Sequence, residues 1–183
     1  MKNCQQTENQ SIYQHGISVR DHAFQLINYL ETGIIIGNWK LPEWLASYNK
    51  QILHNLMPKD IIEEYTVYHD CGKAYCLSFD ENGRKHFINH AELSYLKWLE
   101  VGGSKEAATL MKMDMDIHKL KDYDVDEFCK RPQAITLLLV GLAEIISNSI
   151  MFGGFNSINF KIKFKQIDKR GKRICKILFG ENV

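Results

Sequence analysis

Apolar residues recur at helical spacing along most of this 183-residue chain, and this periodicity constrains the fold more than any other feature. The clearest run has apolar or small residues at Val19, Ala23, Leu26, Ile27 and Leu30. Steps of four, three, one and three residues place these side chains on one helix face. Runs of the same kind follow in 42–57, 60–68, 90–101, 105–121 and 131–151, so the sequence predicts an all-α fold.

One β element is predicted, within 77–87. Asn82-Gly83 is typical of a two-residue hairpin turn, and short semi-apolar runs flank it on both sides. The chain has no internal repeat and no linker rich in Ser or Pro, and its length suits a single domain over 1–183. The expected architecture is a helical bundle with one small β-hairpin insertion.

The C-terminal segment 157–176 is strongly basic, since residues 160–176 hold eight Lys/Arg against one Asp. Every second residue from Phe160 to Phe164 is apolar, as in a strand. Phe160, Phe164 and Ile167 also fit one face of a helix, and we favour the helix.

Dense positive charge beside aromatic rings is typical of polyanion binding. This makes Lys161, Lys163 and Lys165 candidate contacts to a nucleic acid. A solvated charged face, with the neighbouring phenylalanines in the core, is the simpler alternative.

Nothing in the sequence indicates a membrane partner or export. No apolar run reaches the roughly 18 residues that span a bilayer, and residues 1–16 lack the apolar stretch of a secretion signal. The five cysteines, an odd number without a C-x-x-C pair, are expected to be free thiols. We therefore expect a cytoplasmic protein, and the sequence leaves a protein partner and self-association open.

Six of the seven histidines lie on predicted helices or near their ends, close in sequence to carboxylates. They are His15, His22, His69, His86, His90 and His118, and the carboxylates are Asp70, Asp114 and Asp116. Imidazole and carboxylate without thiolate favour a divalent metal such as Mn, Fe, Co, Ni or Zn, with Mg also compatible. A lone histidine on an apolar face is more often a core residue, so the indication comes from the set.

Two short motifs resemble the HD superfamily of metal-dependent phosphohydrolases. HGISV at 15–19 is similar to the family's first-histidine signature, and HDCGK at 69–73 is similar to its central HD-x-G-K form. The resemblance implies an HD-domain helical bundle that holds one or two metal ions. In the primary site, His15, His69, Asp70 and a later aspartate would be the ligands.

The later aspartate is expected in the run DMDIH at 114–118. In a continuous helix, Asp114 and His118 are four residues apart and share a face, whereas Asp116 points about 200° away from Asp114. This favours Asp114 over Asp116 as the ligand. The alternative is that both carboxylates only solvate the helix.

The resemblance also implies a second metal site. His90, after the hairpin, resembles the extra histidine of two-metal members, and with His118 it would complete a site in which Asp70 bridges two ions. Two such ions activate water and hold the oxygens of a phosphoryl transfer. A helix-opening surface histidine is the alternative for His90. Glu144, inside an apolar run, needs a partner such as a tail lysine or a ligand histidine.

Polar residues next to the motifs are candidate substrate contacts. Lys73 follows Asp70 by three residues, and Arg20 follows the first motif by one. We assign Asp70, Lys73 and Arg20 to catalysis, and we expect the two cations to hold the substrate phosphate. Either cation could instead pair with a local carboxylate. Ser18 and His22, on the first predicted helix, are candidate substrate-binding residues.

A closer resemblance extends into the C-terminal third. HDCGKAYC, DENGRKHFINHAELS and AEIISNSIMFGGFNSINFKIKFKQIDKRGK are similar to the HD phosphatase module of bacterial RNA end-healing proteins, which join it to a polynucleotide kinase. The resemblance implies removal of terminal 2′ or 3′ phosphates, or opening of 2′,3′-cyclic phosphates, on RNA or nucleotides. The sequence has no G-x-x-x-x-G-K-[ST] loop, so coupled kinase activity is not expected.

Two other functions stay open at this point. A nucleotidase or a cyclic-nucleotide phosphodiesterase would use the same metal chemistry on mononucleotides, with little sensitivity to salt. A non-catalytic module that binds nucleic acid or protein would need no metal, so a chelator would leave its function unchanged.

Overall fold

The computed structural model describes residues 1–7, 9–34 and 40–180. The strands are β1 (Gln5–Thr7), β2 (Gln10–Ser11), β3 (Leu77–Phe79) and β4 (Lys85–Phe87). The helices are α1 (Ile12–Thr32), α2 (Glu43–Ser47), α3 (Asn49–His54), α4 (Lys59–Tyr68), α5 (Lys73–Cys76), α6 (His90–Glu100), α7 (Lys105–Met113), α8 (Asp116–Lys119), α9 (Val125–Cys129), α10 (Ala134–Ser147) and α11 (Ile158–Phe179), with a 3-10 turn at Asp122–Asp124. The predicted all-α class is confirmed.

The predicted hairpin is present as β3 and β4, which pair antiparallel around Asn82-Gly83. A second small hairpin, β1 with β2, precedes α1 and was not predicted. Its strands have three and two residues, too few to give the alternating apolar pattern by which a strand is recognised in a sequence.

The chain divides into two compact units. The first consists of Met1–Arg20 and Pro58–Met115, and the second of the described residues within Asp21–Met57 and Asp116–Val183. The helix α1 contributes its first turns to the first unit and its remaining turns to the second. The expectation of one domain over 1–183 stays a prediction.

In the first unit, α7 packs against both α4 and α6, and α5 packs against α6 and β4. Its core is built from fully buried side chains on these helices and on the start of α1. Among them are Ile12, Val19, Ile62, Tyr65, Leu110 and Met111. His69 follows the carboxyl end of α4, and His90 is the first residue of α6, so both histidines lie in this unit.

In the second unit, α10 is buried on every side from Ala134 to Ala143, as expected for a helix that is apolar all round. The long C-terminal helix α11 packs against α10, α9 and α2. The helix favoured for the basic segment 157–176 is therefore confirmed over the strand. Among the described residues, no helix combines the length and the apolar character needed to cross a bilayer.

Two predicted helices, 42–57 and 105–121, are wrong as continuous elements. The first is divided into α2 and α3 at Tyr48, whose backbone leaves the helical conformation. The structure ends α7 at Met113, places Asp114 at its C-cap and starts α8 at Asp116. At the break, the Asp114 N–H bonds the Met111 carbonyl three residues back instead of four, which tightens the last turn. The argument that Asp114 and His118 share one helix face therefore fails.

Candidate metal centre

Five of the six predicted metal ligands lie in the first unit, and each is at or near the end of a helix. His15 lies on α1, His69 and Asp70 follow α4, His90 opens α6, and Asp114 caps α7. Four of these side chains are almost completely buried, and His90 is 15% exposed. Helices that are distant in the sequence therefore bring these residues into one unit.

The five residues form two overlapping groups whose potential ligand atoms lie within 4.8 Å of one another. The first triad is His15, His69 and Asp70, and the second triad is Asp70, His90 and Asp114. Asp70 belongs to both. Its Oδ2 lies 3.3 Å from His69 Nε2 and 3.8 Å from His15 Nε2, while its Oδ1 lies 3.6 Å from His90 Nε2. The two carboxylate oxygens thus face different triads.

Backbone carbonyls fix the orientation of two of the histidine rings. His69 Nδ1 lies 2.8 Å from the Thr66 carbonyl, and His90 Nδ1 lies 2.9 Å from the Phe87 carbonyl. A carbonyl only accepts, so each Nδ1 must carry the proton and donate it. In the neutral form of each ring, which is the form that binds a metal, the lone pair then lies on Nε2, the atom that faces Asp70. Metal-binding histidines are commonly oriented in this way.

Two glycines in the motifs permit the close helix contacts that assemble the cluster. A Cβ at Gly16 would lie 2.1 Å from the Val67 carbonyl oxygen, so α1 approaches α4 closely just beside His15. A Cβ at Gly72 would lie 2.4 Å from the His90 carbonyl oxygen, where the chain passes the start of α6. There is therefore a steric reason for glycine, and no larger residue, at these two positions of the histidine motifs.

The Asp70 carboxylate is buried and ionised. Burial raises its pKa, but the positive charges of His69, when that ring is protonated, and of Lys73 act in the other direction and hold the pKa well below its ordinary value. Lys73 Nζ lies 2.5 Å from Asp70 Oδ2 and also donates to Gln6 at 3.2 Å. The contact to Asp70 is the pairing with a local carboxylate that the sequence left open for Lys73, and its role as a phosphate clamp stays a prediction. The contact to Gln6 was not predicted.

Tyr65 is a site residue that the sequence reasoning missed. Its hydroxyl donates a 2.6 Å hydrogen bond to Asp114 Oδ1, and both side chains are buried. Tyr65 lies on α4 four residues before His69, which is the C-cap of that helix and keeps helical backbone angles, so the two share a helix face. The four-residue spacing from His69 could have indicated that Tyr65 belongs to the site. The sequence alone predicted only a core residue, because an aromatic ring at helical spacing usually packs in the core.

The donors of both triads fit a divalent metal. Imidazole nitrogen and carboxylate oxygen bind such ions at about 2.0–2.2 Å, so the ligand atoms of one ion lie within about 4.4 Å of one another. The observed separations of up to 4.8 Å need only small side-chain shifts. Oriented rings, burial and an ionised carboxylate are the conditions under which such a site binds a metal.

Three further predicted residues lie on α1. Ser18 is half-buried, one turn after His15. Arg20 Nη1 lies 3.3 Å from Glu63 Oε1, which is the pairing with a local carboxylate that the sequence left open. His22 Nδ1 lies 3.2 Å from Gln25 Oε1, and partial burial lowers its pKa. Substrate contact by these residues stays a prediction.

His118 lies in the second unit, where its Nε2 is 2.7 Å from Glu144 Oε2. The carboxylate inside the apolar helix α10 thus has a histidine partner, one of the two kinds that the sequence predicted. The assignment of His118 as a metal ligand stays a prediction. Asp116, the less favoured aspartate, pairs with Arg131.

The three candidate lysines of α11 are all exposed. Lys161 and Lys165 are four residues apart and share a helix face, but Lys163 is rotated about 200° from Lys161. Farther along α11, cations pair with acidic residues of the same unit: Lys169 lies 2.8 Å from Asp122, and Lys172 lies 3.4 Å from Asp168. The helix therefore separates lysines that a strand would have placed together.

Comparisons with known proteins give no relative of this chain. No family model matches it, and no curated protein or solved structure matches it. Its function is therefore argued from the motifs and from the geometry of the two triads.

Proposed function

We propose that the protein is a metal-dependent phosphohydrolase of the HD type. It would remove a terminal 2′ or 3′ phosphate, or open a 2′,3′-cyclic phosphate, on RNA or on nucleotides. The observation that carries the proposal is Asp70, a buried and ionised carboxylate shared by two triads whose histidines His69 and His90 present Nε2 to it. Such an arrangement suits one ion or a pair of ions with a common carboxylate ligand.

His15, His69, Asp70, His90 and Asp114 would hold the metal. When bound, divalent ions in such sites lower the pKa of water and neutralise charge that develops on phosphate. The chain's own groups prepare the site for this. Backbone carbonyls keep the imidazoles in the ligating tautomer, and burial excludes bulk water from the carboxylates.

Lys73 supplies the fixed positive charge at the site. Its ammonium orients Asp70 Oδ2 through a 2.5 Å contact and adds charge that favours a phosphate anion in the vicinity. Ser18 and Arg20, three and five residues after His15 on α1, are the further groups that we assign to the phosphate.

The proposal is tested by phosphate release from a short RNA that ends in a 2′,3′-cyclic phosphate, with Mn²⁺ and with EDTA. We expect release by the wild type with Mn²⁺, none with EDTA, and at least a 100-fold loss in Asp70→Asn. Asp60→Asn, an exposed aspartate on α4, is the matched control and should keep wild-type activity. Release that persists in EDTA or in Asp70→Asn would contradict the proposal.

Mononucleotide substrates distinguish the related functions. Hydrolysis of free nucleoside monophosphates or cyclic mononucleotides, without hydrolysis of the RNA end, would assign the site to a nucleotidase or a phosphodiesterase. Binding of RNA that is insensitive to EDTA, without hydrolysis of any of these substrates, would indicate a binding module.

A further inference from the structure

The β3–β4 hairpin presents an exposed face beside the proposed metal centre. In the ladder, Leu77 pairs with Phe87 and Phe79 pairs with Lys85, and side chains of paired residues point to the same side of a sheet. These four residues are named the hairpin face. Ser78 pairs with His86 on the opposite side.

The hairpin face is continuous with the metal centre through Lys73. The Lys73 ammonium lies 5.4 Å from the centre of the Phe87 ring, while it contacts Asp70 at 2.5 Å. Phe79 lies two residues farther along the hairpin, about 7 Å from the position of Phe87 along the strand direction. A molecule with its phosphate at the triads can therefore extend along this face.

The chemistry of the hairpin face suits a nucleobase. The Phe79 residue is 61% exposed, and Lys85 is its partner residue across the ladder. Lys85 Nζ donates to the Gln5 carbonyl at 3.2 Å, which ties this side chain to β1. An open ring and a lysine on the same side of a sheet can provide base stacking and positive charge for the backbone, the combination used to bind single-stranded nucleic acid.

The turn of the hairpin leaves this face free of acidic charge. Asp80 Oδ1 accepts hydrogen bonds from the N–H groups of Asn82 and Arg84. Its Oδ2 lies 3.2 Å from His86 Nε2, and His86 is on the side of the sheet opposite the hairpin face. The one charged member of the hairpin face is thus Lys85, which favours an anionic ligand.

We propose that the hairpin face binds the nucleobase attached to the phosphate at the triads, with Phe79 stacking on the base and Lys85 contacting the phosphodiester backbone. This inference rests on the proposed function and specifies where the base of its RNA or nucleotide substrate binds. It assigns a binding role to a hairpin that otherwise exposes a large apolar ring to water.

Binding of a fluorescent RNA with a 3′-terminal phosphate, followed by anisotropy, tests the inference. Phe79→Ala should weaken binding about 5- to 100-fold, since stacking on one ring accounts for a change of that size. Phe79→Tyr, which keeps the ring, should bind like the wild type. Ile88→Ala removes a 67% exposed side chain just outside the face and should change binding less than twofold.

The same RNA with an abasic terminal nucleotide provides the decisive comparison. It should bind wild type and Phe79→Ala equally, because the base that stacks is missing. Equal binding of the normal RNA by Phe79→Ala and wild type would overturn the inference, and so would a Phe79→Ala loss that is as large on the abasic RNA. Absence of metal-dependent phosphate release would overturn the proposed function instead, and it would not alter the Phe79-dependent binding.

Discussion

The Tyr65 hydroxyl donates a 2.6 Å hydrogen bond to Asp114 Oδ1, so an aromatic residue of α4 positions a carboxylate at the end of α7. This contact fixes the orientation of Asp114 within the second triad. Because outer groups of this kind set ligand orientation, their loss lowers metal affinity without removing a ligand.

Tyr65→Phe is therefore expected to weaken Mn²⁺ binding about 10- to 100-fold while the protein stays folded. Calorimetric titration of Mn²⁺ measures the effect, and circular dichroism checks the fold. Tyr123→Phe, at a tyrosine that is 81% exposed in the second unit, is the matched control. Equal Mn²⁺ affinity in Tyr65→Phe and wild type would show that the hydrogen bond does not support the metal site.

Gly16→Ala should destabilise the protein by about 1–3 kcal/mol, as overpacking of a well-packed contact does. The added methyl group meets the Val67 carbonyl oxygen, and α1 must move away from α4. Because His15 moves with α1, Mn²⁺ affinity should fall as well. Urea unfolding and Mn²⁺ titration measure the two effects, and an unchanged unfolding midpoint would rule out the close contact.

His118 and Glu144 should be energetically coupled, since their side chains are only 20% and 15% exposed and lie 2.7 Å apart. Urea unfolding of His118→Ala, Glu144→Ala and the double variant, all in EDTA, gives the coupling free energy. We expect about 0.5–3 kcal/mol. Additive losses of stability would mean that the observed contact contributes nothing.

Lys161 and Lys165 should contribute to RNA affinity together, because they share one face of α11. The double alanine variant should bind a long RNA more weakly and with a reduced dependence on salt, while its affinity for a mononucleotide stays unchanged. Lys163→Ala, on another side of the helix, is the matched control and should have a smaller effect. Equal losses on long RNA and mononucleotide would exclude a role of α11 in holding RNA.

Cysteine reactivity gives an independent check of the fold. Cys175 is fully buried, and burial raises its pKa to about 12, above the ordinary value of 9.0. A raised pKa keeps the thiol protonated, so only about 10⁻⁴ of it is thiolate at pH 8. Iodoacetamide at pH 8 should modify Cys4, which is half-buried, and should reach Cys175 only in denaturant. Mass spectrometry reads both sites, and fast native modification of Cys175 would contradict the fold.

The sequence was sufficient for the helical class and the β3–β4 hairpin, and it named the five residues that the structure brings together in the triads. Their role as metal ligands stays a prediction. The helical class and the hairpin depend on local periodicity and on the Asn82-Gly83 turn, whereas the five residues were named from the resemblance of their motifs to the HD superfamily. The positions of Gly16 and Gly72 in the motifs were read as pattern only, and the structure supplies their steric reason.

Contacts between distant segments were harder to predict. The Gln6 contact to Lys73 spans 67 residues, and the Arg20 contact to Glu63 spans 43. No local pattern encodes either. The break between α7 and α8 was missed because Asp114 and Met115 are compatible with a continuous helix, and the bond from Tyr65 to Asp114 is a tertiary contact that periodicity does not reveal.

Equilibrium binding of Mn²⁺ to the wild type, His90→Ala and Asp70→Asn tests the central claim, which is that Asp70 is shared by two metal-binding triads. We predict that Asp70→Asn loses all tight Mn²⁺ binding, whereas His90→Ala loses only the part that depends on the second triad and keeps an ion at the first. Tight Mn²⁺ binding by Asp70→Asn equal to that of the wild type would contradict the account.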